Sequence, residues 1–211
     1  MSEGQQSSRP RRSQAERSGQ TRERVLAAAI DCLHRRGYAA TTTLAVAESA
    51  GLSRGAMLHQ FPTREELLLY VVRAVYEQEL LIYAQRMAAI ADPRERLRAL
   101  PRIVWEVLSR PAGVAVLEVL QGSRSDPALA GQVRALQTRI EADSFVKTAR
   151  LGADLGIAEF PALVRLIVWA ARGLSIAQTL SDDPDSLEDS VTLLRDLVDL
   201  TLADAANGAR P

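Results

Sequence analysis

The residues of this chain with the clearest chemical capacity are hydrogen-bond donors crowded into residues 37–66. They are three consecutive threonines, a serine, two arginines, a histidine and a glutamine: Thr41, Thr42, Thr43, Ser53, Arg54, Arg64, His59 and Gln60. Hydroxyl, guanidinium, imidazole and amide groups donate to phosphate oxygens and to acceptors on base edges. Gly55, in the middle of the set, leaves room for a close approach of the backbone. This composition favours non-covalent binding to a polyanion.

A hydrolytic interpretation of the same segment fails on the order and number of its residues. Gly51–Gly55 fits Gly-x-Ser-x-Gly, the nucleophile elbow, with Ser53 as the nucleophile. That motif needs a strand before it and an acid and a histidine far downstream. The two histidines are His34 and His59, and neither meets that order. Two histidines and the single cysteine, Cys32, also cannot build a typical zinc site, so we expect neither an enzyme nor a cofactor.

Two short helices around a glycine turn are predicted to position these donors. We expect one helix over residues 43–50, a turn at Gly51 and a second helix over residues 53–60. Thr63 and Glu66 have the spacing of a capping box, which indicates the start of a longer helix. Two helices that cross steeply around such a turn form a helix-turn-helix, which places one helix end in the DNA major groove.

Residues 21–68 resemble the TetR family, the tetracycline-repressor-like bacterial regulators. The features that carry this resemblance are Gly37-Tyr38, the threonine run, Ala47, the segment 50–55, Phe61 and Arg64. Together with the donor chemistry, it implies DNA contacts by Thr41, Thr42, Thr43, Ser53, Arg54, Gly55, His59, Gln60 and Arg64. The family commonly has tyrosine in place of Leu58, and its hydroxyl contacts phosphate. Here His59 or Gln60 is the candidate replacement.

The charge distribution agrees with a DNA-binding amino-terminal part. Residues 1–64 contain ten arginines and five acidic residues, whereas residues 65–211 contain 16 basic and 21 acidic residues. A basic head on an acidic body suits a head that meets phosphate. The first 20 residues lack the apolar core of a signal peptide, and no uncharged apolar run reaches membrane-spanning length. We therefore expect a cytoplasmic protein with no membrane partner.

Composition predicts an all-α chain of about nine helices. Aromatic residues make up 4% of the sequence, alanine and leucine are frequent, and β-branched alternation is absent. We expect a disordered basic arm over residues 1–18 and a helix-turn-helix DNA-binding domain over residues 19–66. A helical effector-binding and dimerisation domain should cover residues 67–206, before a disordered tail over residues 207–211.

Prolines and glycines predict the bounds of the other helices. Helix 1 should run over residues 21–36 and stop at Gly37, and helix 4 should run to residue 89. Pro101 should kink or divide the helix that follows Asp92. The remaining helices are expected over residues 114–121, 127–155, 161–180 and 185–206, with a loop over residues 122–126.

Apolar stripes on the last two helices predict a dimer interface. The stripes recur at steps of three and four residues and consist of Leu166, Trp169, Gly173 and Ile176, then Leu187, Val191, Leu194 and Val198. A two-fold dimer would present two reading helices to two half-sites of a palindromic operator. The alternative is that these stripes form the core of the single chain.

The family resemblance also implies a small-molecule cavity in the body. The candidate lining residues are Tyr83, Met87, Trp105, Leu108, Glu118, Gln121 and Phe145, with Leu117, Ala149, Glu106 and Arg124 as further candidates. An apolar cavity with a few polar groups suits a largely apolar organic effector. For each of these residues, a place in the ordinary core is the alternative.

The leading hypothesis is a homodimeric DNA-binding transcription regulator, a repressor that a small effector releases from its operator. One alternative is a regulator without an effector, whose body only dimerises or docks another protein. Another, from a different class, is a helical enzyme or scaffold whose head does not read DNA.

Overall fold

The computed structural model describes residues 14–208, which form nine α-helices joined by short connections. The helices are α1 (Gln14–Ala40), α2 (Thr43–Ser49), α3 (Arg54–Gln60), α4 (Arg64–Ala88), α5 (Pro93–Leu108), α6 (Pro111–Gly122), α7 (Pro127–Leu155), α8 (Phe160–Leu180) and α9 (Pro184–Gly208). Throughout this part of the chain every regular element is helical. The predicted all-α class is confirmed.

Helix α1 is longer than the apolar pattern predicted. It begins at Gln14, so residues 14–18, expected to be disordered, are helical. The rest of the predicted arm and residues 209–211 of the predicted tail lie outside the described residues. At Gly37 the backbone leaves helical geometry, with φ 76° and ψ 177°, and helical residues resume after this kink. Glycine tolerates a positive φ readily, which explains why the break occurs at the predicted stop.

Side-chain caps set the starts of α2, α3 and α4. The hydroxyl oxygens of Thr42, Ser53 and Thr63 each accept a hydrogen bond from the backbone N–H three residues later, at 3.1 to 3.2 Å. Gly51, with φ 61°, makes the turn between α2 and α3. The helix-turn-helix predicted from these residue types is therefore present, within a residue of its expected bounds.

The expected division of a helix at Pro101 and the expected loop over residues 122–126 are wrong. Pro101 lies buried inside α5, which runs unbroken from Pro93 to Leu108. Proline removes one backbone donor there, but α5 packs its apolar face against α8 and α9, and this burial outweighs the lost bond. Helix α6 begins at Pro111 and extends to Gly122, and a 3-10 turn replaces most of the expected loop after it.

The buried side chains form a large core that crosses the predicted domain boundary. One cluster joins α1, α2, α3 and α4 to α6 and α7, and includes Leu33, Met57, Leu67, Val116 and Leu129. The division expected between residues 66 and 67 falls inside this cluster. A second cluster joins α5, α8 and α9. The helix-turn-helix is thus packed directly onto the body.

Candidate functional site

Most of the predicted DNA-contacting residues lie on one exposed surface around α3. Thr42, Ser53, Arg54, Gly55 and His59 are exposed, and Thr43 and Gln60 are half-buried. Arg54 is the first residue of α3 and makes no hydrogen bond or ion pair with the other described residues. Its five donors are therefore free to reach a base edge or a phosphate. An added Cβ at Gly55 would meet nothing within 4 Å, so this surface is open.

Two of the predicted DNA contacts, the buried Thr41 and the half-buried Arg64, hydrogen-bond within the protein. Thr41 is buried, and its hydroxyl donates to the carbonyl oxygen of Gly37 at 2.8 Å. Arg64 donates from Nε to the carbonyl oxygen of Thr41 at 2.7 Å and from Nη2 to that of Tyr38 at 2.6 Å. The backbone carbonyls freed by the kink at Gly37 accept from Nε and Nη2 of Arg64, so these two donors are not free to reach phosphate.

Around Arg64, polar side chains tie the helix-turn-helix to the body. We call Tyr38, Arg64, Glu118 and Asp126 the Tyr38 latch. The Tyr38 hydroxyl donates to Asp126 at 2.9 Å, and the Tyr38 backbone N–H donates to Glu118 at 2.9 Å. Arg64 lies 3.6 Å from the Asp126 carboxylate and stacks over the Tyr38 ring, 4.1 Å from its centroid. Every member of the latch therefore has a partner.

The Tyr38 latch corrects one predicted ligand residue. Glu118 was a candidate for orienting an effector, but its carboxylate holds the Tyr38 N–H at the junction of α1 and α6. The contact is close, because a Cβ added at Gly122 would lie 2.1 Å from a ring carbon of Tyr38. Burial and the bond to Asp126 raise the pKa of Tyr38, which keeps its hydroxyl protonated and able to donate.

A cavity of about 510 Å³ lies in the body, lined by residues of α4, α7 and α8 together with Leu108 of α5. Its walls include Leu108, Ile140, Phe145, Val164, Val168 and Trp169. Its volume falls within the range of small-molecule sites, and most of its lining is apolar. Of the predicted ligand residues, Tyr83, Leu108 and Phe145 line it.

The other predicted ligand residues lie elsewhere. Met87 packs into the second core cluster, Trp105 packs against Leu187 and Val191, and Gln121 is exposed on α6. Glu106, a further candidate, pairs with Arg86. These positions follow from helix orientation, which a single sequence does not reveal when apolar residues occur on more than one face.

Two charged residues of the cavity were missed by sequence reasoning. Glu79 of α4 is 7% exposed and Arg172 of α8 is 8% exposed. Glu79 Oε1 and the Nε and Nη1 atoms of Arg172 are buried without a hydrogen-bond partner, and no ion pair joins the two side chains. One sequence pattern could have identified Glu79, because it follows Val71 and Val75 at four-residue steps on a buried stripe.

Burial shifts the pKa values of Glu79 and Arg172 in opposite directions. Desolvation raises the pKa of Glu79 to about 7, although Arg172 and then Arg110 oppose the shift. Desolvation also lowers the pKa of Arg172, but an arginine remains protonated in proteins. The pKa of Tyr83 is raised mainly by burial, so its hydroxyl is a neutral donor. The buried part of the cavity thus combines apolar walls with the cation of Arg172 and with Glu79, whose pKa burial raises to about 7.

Sequence comparison identifies the family of this chain. The model of the bacterial regulatory proteins, tetR family, matches residues 25–71. The HTH-type transcriptional regulator CymR of Pseudomonas putida is 30% identical over 183 residues, covering 84% of this chain and 89% of that protein. The chain belongs to the TetR family. It is a DNA-binding transcription regulator, as its sequence predicted.

Further relatives and solved structures agree with this assignment. The HTH-type transcriptional regulator BetI of Paraburkholderia phymatum is 30% identical over 197 residues, covering 88% of this chain and 94% of that protein. A TetR transcription regulator from Haloarcula marismortui has a TM-score of 0.65 at 19% identity, covering 86% of this chain and 98% of that one. A Saccharomonospora viridis protein in complex with choline has a TM-score of 0.67 at 22% identity, with coverages of 86% and 96%. These two structures share the fold.

The predicted dimer residues of this TetR-family chain divide between surface and core. Leu166, Trp169, Gly173 and Ile176 form an exposed face of α8. The predicted α9 stripe is instead internal: Leu187, Val191 and Val198 are buried in the protomer, and Leu194 is half-buried against the second cluster. The exposed apolar face of α9 is formed by Leu193, Leu197 and Leu200. Both stripes have helical spacing, so periodicity alone selected the wrong one.

Among residues 14–208, α8 is the one helix long and apolar enough to cross a membrane, and 28% of its most apolar window is buried. This helix carries Arg165 and Arg172, and it packs against α5, α6, α7 and α9. Packing against four other helices is typical of a helix in a protein core.

Proposed function

We propose that this TetR-family regulator acts as a homodimeric repressor that a small molecule releases from a palindromic operator. The observation that carries the proposal is the cavity with two unsatisfied buried charges on α4 and α8. Helix α4 also bears Arg64 of the Tyr38 latch at its first residue. A DNA-reading role of this kind would place the protein in the bacterial cytoplasm.

Helix α4 supplies a physical connection between cavity and DNA surface. Arg64 and Glu79 are separated along it by roughly 22 Å, at 1.5 Å per residue. A ligand that draws Glu79 and Tyr83 toward α8 would displace this helix. Because the latch fixes α4 to α1 and to the start of α2, the displacement would change the spacing of the two α3 helices in a dimer.

Release of the operator would follow from the thermodynamic coupling between ligand binding and DNA binding. A ligand that binds the DNA-incompetent arrangement more tightly lowers operator affinity by its ratio of affinities for the two states. The Saccharomonospora viridis relative in complex with choline supports the presence of a small-molecule site in this fold. A broad panel of organic ligands that leaves both melting temperature and operator affinity unchanged would favour a regulator without an effector.

The DNA contact is tested by Arg54→Ala with Arg150→Ala as its control. Arg150 is highly exposed on α7 and far along the chain from the helix-turn-helix. Loss of a base or phosphate contact should weaken operator binding by about 1–3 kcal/mol, measured by fluorescence anisotropy at two salt concentrations. Arg150→Ala should bind like the parent. Unchanged affinity in Arg54→Ala would remove this residue from the interface.

The dimer is tested by introducing one charge into the exposed α8–α9 face. Leu197 is 51% exposed on α9, and Leu81, 65% exposed on α4, provides the control outside that face. Burying an unpaired carboxylate is strongly unfavourable. Leu197→Glu should therefore sediment as a monomer at concentrations where Leu81→Glu and the parent remain dimers. Dimers in all three would place the interface elsewhere.

A further inference from the structure

We infer that the cavity between α4, α7 and α8 binds a monovalent organic anion, a carboxylate with an apolar body, and that Arg172 holds its charged group. The inference rests on the proposed function, because it names the class of ligand for that same cavity. It depends on the placement of Arg172, Glu79 and the apolar walls.

Arg172 is a buried cation that the protein does not satisfy. Its side chain is 8% exposed, and its Nε and Nη1 atoms lack hydrogen-bond acceptors within the described chain. The Trp169 ring lies against it, with the ring centroid 5.8 Å from the guanidinium carbon. Glu79 also favours its charged form, without forming an ion pair with it. A buried charge without an acceptor is costly, and the planar guanidinium matches a carboxylate in shape and charge. A bound carboxylate would supply the missing acceptors.

Glu79 does not neutralise this cation permanently. The two side chains form no ion pair, and desolvation raises the pKa of Glu79 to about 7. The charged and titratable groups that face Glu79 are Arg172 on α8, Arg110 before α6 and Tyr83 on α4. A ligand carboxylate placed beside Arg172 would favour the protonated form of Glu79. The protonated carboxyl then becomes a second donor toward the anion.

The remaining charges of the cavity do not alter its net sign. Glu141 of α7 and Arg165 of α8 line it as well, and they pair with each other at 3.6 Å. With Glu79 protonated, the cavity therefore carries one unpaired positive charge.

A cationic ligand is disfavoured by the same arrangement. An ammonium group could approach Glu79 only in the presence of Arg172, which stays charged in the same cavity. Like charges in a medium of low polarity repel strongly. This reasoning separates the cavity from one built for choline, although the Saccharomonospora viridis relative shares the fold.

The walls define the rest of the ligand. Leu108, Phe145, Val164, Val168 and Trp169 surround the cavity, and they would bury hydrocarbon favourably. The volume of about 510 Å³ suits a small organic molecule rather than a free inorganic anion. A flat or aliphatic monocarboxylate combines both requirements.

The test compares three ligand bodies, each with three head groups, by titration calorimetry on the full-length protein. The bodies are phenyl, 2-naphthyl and heptyl, and the head groups are carboxylate, primary carboxamide and trimethylammonium. We expect at least one carboxylate to bind about tenfold or more tightly than its amide and its ammonium counterpart, because bonds to a charged partner exceed neutral ones. The inference is wrong if no carboxylate binds with a Kd below about 1 mM, or if amides or ammonium compounds bind best.

One substitution and one matched control locate the charge. Arg172→Met should weaken the best carboxylate by about 10- to 100-fold and leave its amide nearly unchanged. Arg150→Met replaces a highly exposed arginine of α7 that does not line the cavity and should change affinity by less than about threefold. Equal losses in both variants, or a loss of amide binding in Arg172→Met, would contradict the role of Arg172.

Glu79→Gln distinguishes the anion site from a cation site even if Arg172→Met fails to fold. The parent should bind the carboxylate more tightly at about pH 6 than at about pH 8. At the lower pH Glu79 is mainly protonated, so it does not repel the ligand carboxylate. Glu79→Gln should remove that difference and bind more tightly than the parent at the higher pH. If this variant loses carboxylate binding, or if its pH dependence matches that of the parent, the inference is overturned.

Operator release is measured separately, so the two proposals can fail separately. Carboxylates that bind by calorimetry without lowering operator affinity would support the anion site and contradict effector release. Amides or ammonium compounds that bind and release the operator, while carboxylates do neither, would support release and overturn the anion site.

Discussion

The Tyr38 latch and the cavity both place charged side chains between helices, and they differ in whether the protein completes their hydrogen bonds. Arg64 in the latch has two carbonyl acceptors, a carboxylate and an aromatic ring. Arg172 in the cavity has an aromatic ring and buried donors with no acceptor. Arg64 is half-buried and Arg172 is buried, so the two arginines differ in burial as well as in the acceptors that the protein gives them.

The difference indicates which charges stabilise the fold and which await a ligand. A satisfied buried charge contributes to stability, and its removal leaves its partners uncompensated. An unsatisfied buried charge lowers stability, and a protein retains it when it serves binding or regulation. In the proposed function the cavity would bind the ligand, and α4 would carry the resulting displacement to the Tyr38 latch.

The largest expected effect that would sharpen this comparison is the pH dependence of the free energy of unfolding that Glu79 causes. Its pKa in the folded protein is about 7, above the ordinary value of 4.5, so the folded state holds the proton more tightly. The resulting stabilisation is full below pH 4.5 and is lost as the pH rises through 7. From this shift, Glu79 should lower the free energy of unfolding by about 3 kcal/mol between pH 4.5 and a pH above 7.

Urea unfolding of the parent and of Glu79→Gln at both ends of the window checks this expectation. Glutamine cannot lose a proton, so the variant should gain stability relative to the parent as the pH rises. The urea dependence of the unfolding free energy should stay the same, which shows that compactness is unchanged. Parallel pH profiles for the two proteins would mean that Glu79 is not desolvated.

The next effect concerns how the close packing of the Tyr38 latch affects stability, and it compares a glycine-to-alanine substitution at two positions. Gly122→Ala would place a methyl group 2.1 Å from the Tyr38 ring, whereas Gly131→Ala on α7 would meet nothing within 4 Å. Overpacking should cost Gly122→Ala about 2 kcal/mol. Better helix propensity should stabilise Gly131→Ala by up to about 1 kcal/mol. Thermal unfolding measures both, and shifts of the same sign would contradict the close contact.

The smallest effect compares two tyrosine hydroxyls. Tyr38→Phe removes the bond to Asp126 and should cost about 1 kcal/mol. The Tyr83 hydroxyl has no hydrogen-bond partner among the described residues, so Tyr83→Phe should change the free energy of unfolding by less than about 0.5 kcal/mol. Denaturant titration resolves the two values. A larger loss in Tyr83→Phe would show that the cavity hydroxyl supports the fold.

The sequence predicted the helix-turn-helix well because its determinants are local. The turn needs a residue with positive φ, which Gly51 supplies. Thr42, Ser53 and Thr63 cap the helices that follow them. Local rules of this kind act over three or four residues and can be read from residue types alone. The free position of Arg54 follows from the same rules, since it is the residue after a cap.

The roles of Arg64 and Thr41 could not be read in this way. Both lie at helix starts, where donors to phosphate are expected, but the kink at Gly37 turns backbone carbonyls toward them. Whether a donor faces solvent or a carbonyl depends on how α1 and α6 meet, which is a tertiary property. The prediction of which face of α9 is exposed was wrong for the same reason. Val191 and Leu193 belong to two stripes that are equally apolar, and only tertiary packing decides which of them is buried.

The buried charged residues of the cavity, Glu79 and Arg172, were not among the predicted ligand residues. Arg172 interrupts an apolar helix beside the buried Ala171, and Glu79 continues a valine stripe. A charge at the next position of a buried stripe is uncommon. This pattern would have marked both residues as candidates for a ligand site.

The most direct test makes the same substitution in the two regions. Arg64→Met and Arg172→Met remove equal charge and volume, and their free energies of unfolding are measured by urea titration at about pH 6, where Glu79 is mainly protonated. Arg64→Met should lose about 3 kcal/mol, because two carbonyls and Asp126 lose their partner. Arg172→Met should remain within about 1 kcal/mol of the parent or exceed it. Equal losses in the two variants would contradict the distinction between a satisfied latch and an unsatisfied cavity.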